Sequence, residues 1–187
     1  EGVKPILGCE AYVAQESHTG RTLRSGNHLI LLAKNLVGYH NLVKLISIAH
    51  TEGMYYTPRI DKELLERYHE GLICSSACIA GEIPCKIIDG HLDEAERAAG
   101  WFRDLFGEDY YLEIMYHRAT MEIPRREGEE AVHVLEARSN KGILKIAKRL
   151  GVKVLATNDV HFRNAEDADA HDILLCLSTG KKVTDPN

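Results

Sequence analysis

Asn158-Asp159-Val160-His161-Phe162 follows directly on the apolar run Val152-Lys153-Val154-Leu155-Ala156-Thr157. A short β-branched run after Gly151 predicts a buried strand of an α/β fold. Loops at the carboxyl ends of such strands are where α/β barrels collect their chemistry. An Asp and a His two residues apart on extended backbone point to the same side. One hard oxygen and one imidazole nitrogen on one side form half of a metal site. The plainer alternative is that Asp159 caps the next helix and His161 packs against it.

Three more metal-capable residues fall at comparable places. Glu10 lies in the apolar stretch after Gly8 and Cys9, His28 opens the run His28-Leu29-Ile30-Leu31-Leu32-Ala33, and Cys78 follows Leu72 to Ser75. An ionisable group at the end of a buried strand costs free energy unless it is paired or bound. Singly, each has a simpler explanation. Glu10 could pair with an Arg on a neighbouring loop, His28 could be an exposed strand start, and Cys78 could be a buried thiol. Together, Glu10, His28, Cys78, Asp159 and His161 form a donor set suited to zinc or a mixed-metal cluster. No residue stands out as a general base or nucleophile.

Other candidates are weaker. His171 and Asp172 begin the last helix, where His171 reads as structural. His40, His50, His69, His91, His117 and His133 read as solvated. Tyr55, Tyr56 and Arg59 could stack on or grip a nucleic acid, but an aromatic loop packed on its own domain is the simpler reading. The chain has no Gly-rich phosphate loop and no G-x-S-x-G elbow.

The elements that must position these residues alternate. Strands are expected at Ile6 to Val13, His28 to Ala33, Leu72 to Ser75, Tyr110 to Met115 and from Val152. Helical spacing appears in Leu42-Leu45-Ile46-Ala49, in Ala95-Ala98-Ala99-Phe102, in Ile143-Ile146-Ala147-Leu150 and in Ala170-Ile173-Leu174-Leu177. Asp61 is placed to cap a short helix through Tyr68, and Gly107 and Gly180 to end two others. Gln15 to Asn27 reads as a mobile polar loop, Met54 to Ile60 as an aromatic loop, and His117 to Gly128 as charged and irregular. Strands alternating with helices predict a mostly parallel sheet or barrel, here as one domain over residues 1–187.

Composition sets the limits. The chain has 187 residues, 44% of them hydrophobic and 27% charged, which is ordinary for a globular protein. Its formal charge of −5 argues against a stand-alone nucleic-acid binder, which carries a basic face. Five cysteines without a C-x-x-C pair suggest a reducing, cytoplasmic setting. No apolar run approaches the ~20 residues of a membrane helix. The opening Glu1-Gly2-Val3-Lys4-Pro5 and closing Asp185-Pro186-Asn187 suggest an excised piece of a longer chain.

Taken in order, several segments resemble the PHP (polymerase and histidinol phosphatase) family, in its bacterial replicative polymerase branch. The resemblance is carried by Lys4-Pro5-Ile6-Leu7-Gly8-Cys9-Glu10, His28 to Asn35, Gly38-Tyr39-His40-Asn41-Leu42 and Gly71-Leu72-Ile73. It continues in Cys78-Ile79-Ala80-Gly81-Glu82, Tyr111-Leu112-Glu113, Thr157 to Phe162 and Asp169-Ala170-His171-Asp172, and is loosest from Arg118 to Arg138. It implies an α/β fold: an incomplete, distorted TIM-like (β/α) barrel lacking its opening strands. It implies metal ligands at Glu10, His28, Cys78, Asp159 and His161, with zinc first and manganese or magnesium as alternatives. The family's opening His-x-His motif, following Asp and further His are absent from this sequence, so the ligand set is expected to be partial. The resemblance further implies a role in DNA replication and metal-dependent 3′–5′ exonuclease chemistry in the intact protein. DNA and other replicase subunits would be the partners. Two alternatives stay open: a non-catalytic scaffold docking a separate proofreading exonuclease subunit, and a free-standing small-molecule phosphatase.

Overall fold

The computed structural model describes residues 2–24, 26–117 and 131–184. In chain order the elements are β1 (Gly8–Val13), β2 (Asn27–Ala33), α1 (Leu36–Thr51), β3 (Met54–Tyr55), β4 (Thr57–Ile60), α2 (Lys62–Tyr68) and β5 (Leu72–Ser75). Then follow α3 (Glu82–Ile88), α4 (Leu92–Phe106), β6 (Tyr110–Met115), α5 (Val132–Leu150), β7 (Lys153–Thr157) and α6 (Ala168–Thr179). The expected α/β alternation is present, as a partial (β/α) barrel-like arrangement.

The strands form one sheet in the order β3-β4-β1-β2-β5-β6-β7. β1 is parallel to β4, and β5, β6 and β7 are parallel to one another. β2 is the departure from a mostly parallel sheet, because it lies antiparallel between β1 and β5. The reversal matters for function. A reversed strand presents its first residue at the rim where its neighbours present their last, so His28 sits opposite Tyr12 near the end of β1.

Met54 to Ile60 is a tight hairpin rather than a loop. Pro58, which cannot donate a ladder hydrogen bond, faces Met54, and pairing with β1 begins only at Arg59. The polar stretch after β1 is tied down rather than free. Arg59 is 2% exposed, and its guanidinium donates to the carbonyls of Leu23 (2.7 Å), Gly20 (2.5 Å), His18 (3.2 Å) and Gly53 (3.3 Å). Arg59 is therefore an internal staple, not a nucleic-acid contact. Asp61 caps α2 at the Leu64 N–H (2.9 Å) and also accepts from the His18 N–H (2.8 Å). Burial works to raise the Asp61 carboxyl, but the His18 and Leu64 hydrogen bonds outweigh it and hold it below its usual range.

One buried cluster joins Leu31, Leu45, Ile60, Leu65, Leu72, Phe102, Leu112, Ile143 and Ile146. Burying each such side chain contributes roughly 1.5–3 kcal/mol. α1 lies on β2, β4 and β5, and α5 on α3 and β6. The far edge differs. β7 has only half-buried and exposed positions, and α6 has no buried residue. The Ile173-Leu174-Leu177 face is helical and ends at Gly180 as expected, but it is exposed among the described residues. The segment read as charged and irregular lies, from residue 118 on, outside the described residues.

Candidate metal site

Three of the five candidate ligands, Glu10, His28 and Cys78, come into contact at one rim of the sheet, and Asp159 is near enough for its charge to act on the Cys78 thiol. Glu10, on β1, places Oε1 2.8 Å from His28 Nδ1. The alternative partner for Glu10, an Arg on a neighbouring loop, gives way to a histidine from the next strand. His28 is held at its own backbone too: its N–H donates to the Ala80 carbonyl at 3.0 Å. The Tyr12 ring meets the His28 imidazole edge-on at 5.0 Å. Cys78 Sγ lies 3.6 Å from the same His28 nitrogen, so this thiol is half-buried at a polar junction rather than sealed in the core. Burial pushes the Cys78 thiol up to about 11, and the negative charges of Asp159 and Glu10 and a hydrogen bond with Asp159 add to that rise.

Two tight turns deliver these groups. Ala77 has φ 59 and Asp159 φ 46, both in the left-handed region, which costs a non-glycine residue ~1–3 kcal/mol unless its surroundings enforce it. Behind the first turn, Gly81 presses against the chain: a Cβ there would stand 2.1 Å from the Ser76 carbonyl oxygen. Asp159 lies beyond the end of β7, so Asp159 and His161 do not share one side of an extended strand. Asp159 does not cap the next helix either. Asn164 caps the short 3-10 turn before α6.

His161 is the ligand candidate that the fold does not bring into the group. Its Nδ1 contacts the Asp159 carbonyl at 2.7 Å, and its ring lies 5.8 Å from the His171 ring. His171 also meets Phe162 at 5.3 Å, which fits its structural reading.

The donor types fit a divalent metal: carboxylate, imidazole, thiol and a second carboxylate, with direct contacts from His28 to Glu10 and to Cys78. Zinc bonds of about 2.0–2.3 Å separate tetrahedral donors by roughly 3.3–3.8 Å. The 3.6 Å between Cys78 and His28 already matches that spacing. The 2.8 Å between Glu10 and His28 is instead a hydrogen-bond distance, which an ion would have to open. As placed, no three His, Cys, Asp or Glu side chains among the described residues surround a common point.

Three polar residues beside this group escaped the sequence reading as parts of a site. Glu113, within β6, is 5% exposed. It accepts hydrogen bonds from the Ser75 hydroxyl, the Ala77 N–H (3.2 Å) and the Thr157 hydroxyl (2.5 Å). His117, read as solvated, is tied at both nitrogens: Nδ1 to buried Glu136 at 2.5 Å and Nε2 to the Asn158 carbonyl at 2.7 Å. The Glu136 carboxylate, then the Asn158 carbonyl, hold His117 above the usual histidine range. Their partners lie 19 to 44 residues away in sequence, so no local spacing announces them.

The fold and this set of residues define a class. The sequence profile of the PHP domain matches residues 1–117, which hold Glu10, His28 and Cys78, and the chain belongs to that family. The similarity to particular proteins runs further along the chain. It is 44% identical over 190 residues to the DNA polymerase III subunit alpha of Borreliella burgdorferi, across 100% of this chain and 15% of that protein. With the subunit of Treponema pallidum it shares 45% over 192 residues, again 100% and 15%. With that of Aquifex aeolicus it shares 39% over 195 residues, 98% and 15%. The chain thus spans about 15% of the length of these curated relatives. No helix among the described residues is long and apolar enough to cross a membrane.

Proposed function

We propose that this chain is the PHP part of a replicative DNA polymerase alpha subunit, and that the intact protein uses it for metal-dependent 3′–5′ hydrolysis of DNA. The carrying observation is the contact of His28 with both Glu10 and Cys78 at one rim. The relatives named above support the replicative setting. Glu10, His28, Cys78 and Asp159 would hold a divalent metal, with His161 joining them after turning from His171. A thiol and an imidazole in the set favour zinc over magnesium or manganese, which prefer oxygen donors. Such a metal supplies an activated water and neutralises charge on the phosphodiester.

The chain's own contribution is orientation. Glu10 fixes the His28 ring, and the Ala77 turn points Cys78 at both. With a net charge of −5, grip on the DNA backbone falls to other parts of the protein, and other replicase subunits are its expected partners.

The test is the Asp159→Ala/His161→Ala double variant of the full-length protein. Metal-dependent exonuclease activity should vanish while polymerisation persists. Unchanged exonuclease activity would remove these residues from the reaction. Stoichiometric metal with no nuclease activity in the parent protein would favour a brace that docks a separate proofreading exonuclease.

A further inference from the structure

We infer that Glu113 is the positioning residue of this site, an inference that rests on the metal reading above. Its two carboxylate oxygens reach two different ligand-bearing turns. Oε1 accepts from the Ser75 hydroxyl and the Ala77 N–H (3.2 Å), immediately before Cys78. Oε2 accepts from the Thr157 hydroxyl at 2.5 Å, two residues before Asp159. The Glu113 N–H in turn donates to Ser76 Oγ at 2.8 Å. One side chain on β6 thus ties the end of β5 to the end of β7, across the strand that separates them.

The sheet itself does little of this. β5 and β6 pair through only Cys74↔Tyr110 and Ser75↔Tyr111, followed by a Ser76 N–H to Tyr111 carbonyl bond of 3.1 Å. Both ligand turns then leave the ladder through left-handed residues, Ala77 and Asp159. A turn in a sparsely populated conformation needs an outside anchor, and Glu113 supplies one to Ala77 directly and one to the approach to Asp159. A carboxylate suits the place because both of its oxygens can accept, and the Ser75 hydroxyl, Ala77 N–H and Thr157 hydroxyl can all donate. An amide there cannot accept at both ends. Partners behind metal ligands commonly change metal affinity by 10- to 100-fold when altered.

The test is a cobalt(II) titration of the full-length protein, followed by the thiolate-to-cobalt charge-transfer band, which reports Cys78 ligation without any turnover. Glu113→Gln and Thr157→Val should weaken cobalt binding about ten- to a hundred-fold, and Thr157→Ser, which keeps the hydroxyl, should bind as the parent does. Ile143→Val, a buried change in α5 outside the hydrogen bonds named above, serves as the control for general destabilisation. Parental cobalt affinity and spectrum in Glu113→Gln and Thr157→Val would overturn the inference. So would equal weakening in Ile143→Val, since the effect would then be loss of stability alone. Cys78→Ser and Asp159→Ala separate the two levels. If they also leave the band and affinity untouched, the metal reading itself fails; if they abolish the band while Glu113→Gln does not, only the role of Glu113 fails.

Discussion

Cys78 and His161 lie at the same rim of the sheet on different ground. The turn carrying Cys78 is packed from behind by Gly81, anchored from β6 by Glu113, and joined to β2 through His28. The segment carrying His161 continues from an edge strand into α6, a helix with no buried residue. Its histidine contacts the neighbouring backbone and His171 instead of the other candidate ligands. The first region owes its geometry to packing and satisfied hydrogen bonds, so its donors are pre-placed. In the second, by contrast, a bound ion would itself have to set the last donor. Asp159 stands between them, steered by Thr157 on one side and by the Glu136-His117-Asn158 chain on the other.

The firm half should break first. Gly81→Ala places a methyl group against the Ser76 carbonyl, and backbone cannot yield as a flexible side chain does. Overpacking of this kind costs typically 1–3 kcal/mol, occasionally more, and about 3 kcal/mol is expected in a denaturant titration. A loss below about 1 kcal/mol would mean that the Cys78 turn is loose and that the contrast is misplaced.

The link between the halves should show as a pH dependence. His117 has a folded pKa above its unfolded value of ~6.5, so the stability it adds is fully present below that value. It is lost as pH rises through the raised folded pKa. The difference in denaturation midpoint between the parent and His117→Gln should therefore shrink as pH is raised from acid to alkaline. A difference that stayed constant would show that His117 and Glu136 are not coupled as drawn.

The smallest effect belongs to the outer helix. Leu177 is 77% exposed, and Leu177→Ser should change stability by no more than about 0.5 kcal/mol. A loss of several times that size would mean the helix face is covered in solution.

Local chemistry was legible wherever it decided the outcome. β5 and β6 fall where their apolar runs lie, Asp61 caps α2, and Gly107 and Gly180 end their helices. Features set by distant partners were not legible. Nothing near His28 tells that β2 runs backwards, yet that reversal brings His28 to Glu10. Arg59 sits among aromatic residues like a surface cation, but four backbone carbonyls from elsewhere enclose it. α3 is only seven residues long, so its buried Ile83, Pro84 and Ile87 make too short a stripe to announce a helix, and Pro84 lies in its first turn, which a helix start tolerates. The periodicity of α6 gave the helix correctly but not its exposure, because a hydrophobic stripe specifies a face and not what lies against it.

Under the function proposed above, Glu10, His28, Cys78, Asp159 and His161 together hold divalent metal. Elemental analysis of the purified full-length protein, beside its Asp159→Ala/His161→Ala variant, tests it most directly. Near-stoichiometric zinc in the parent, lost from the variant, is the expected result. The same metal content in both, or none in the parent, would contradict it.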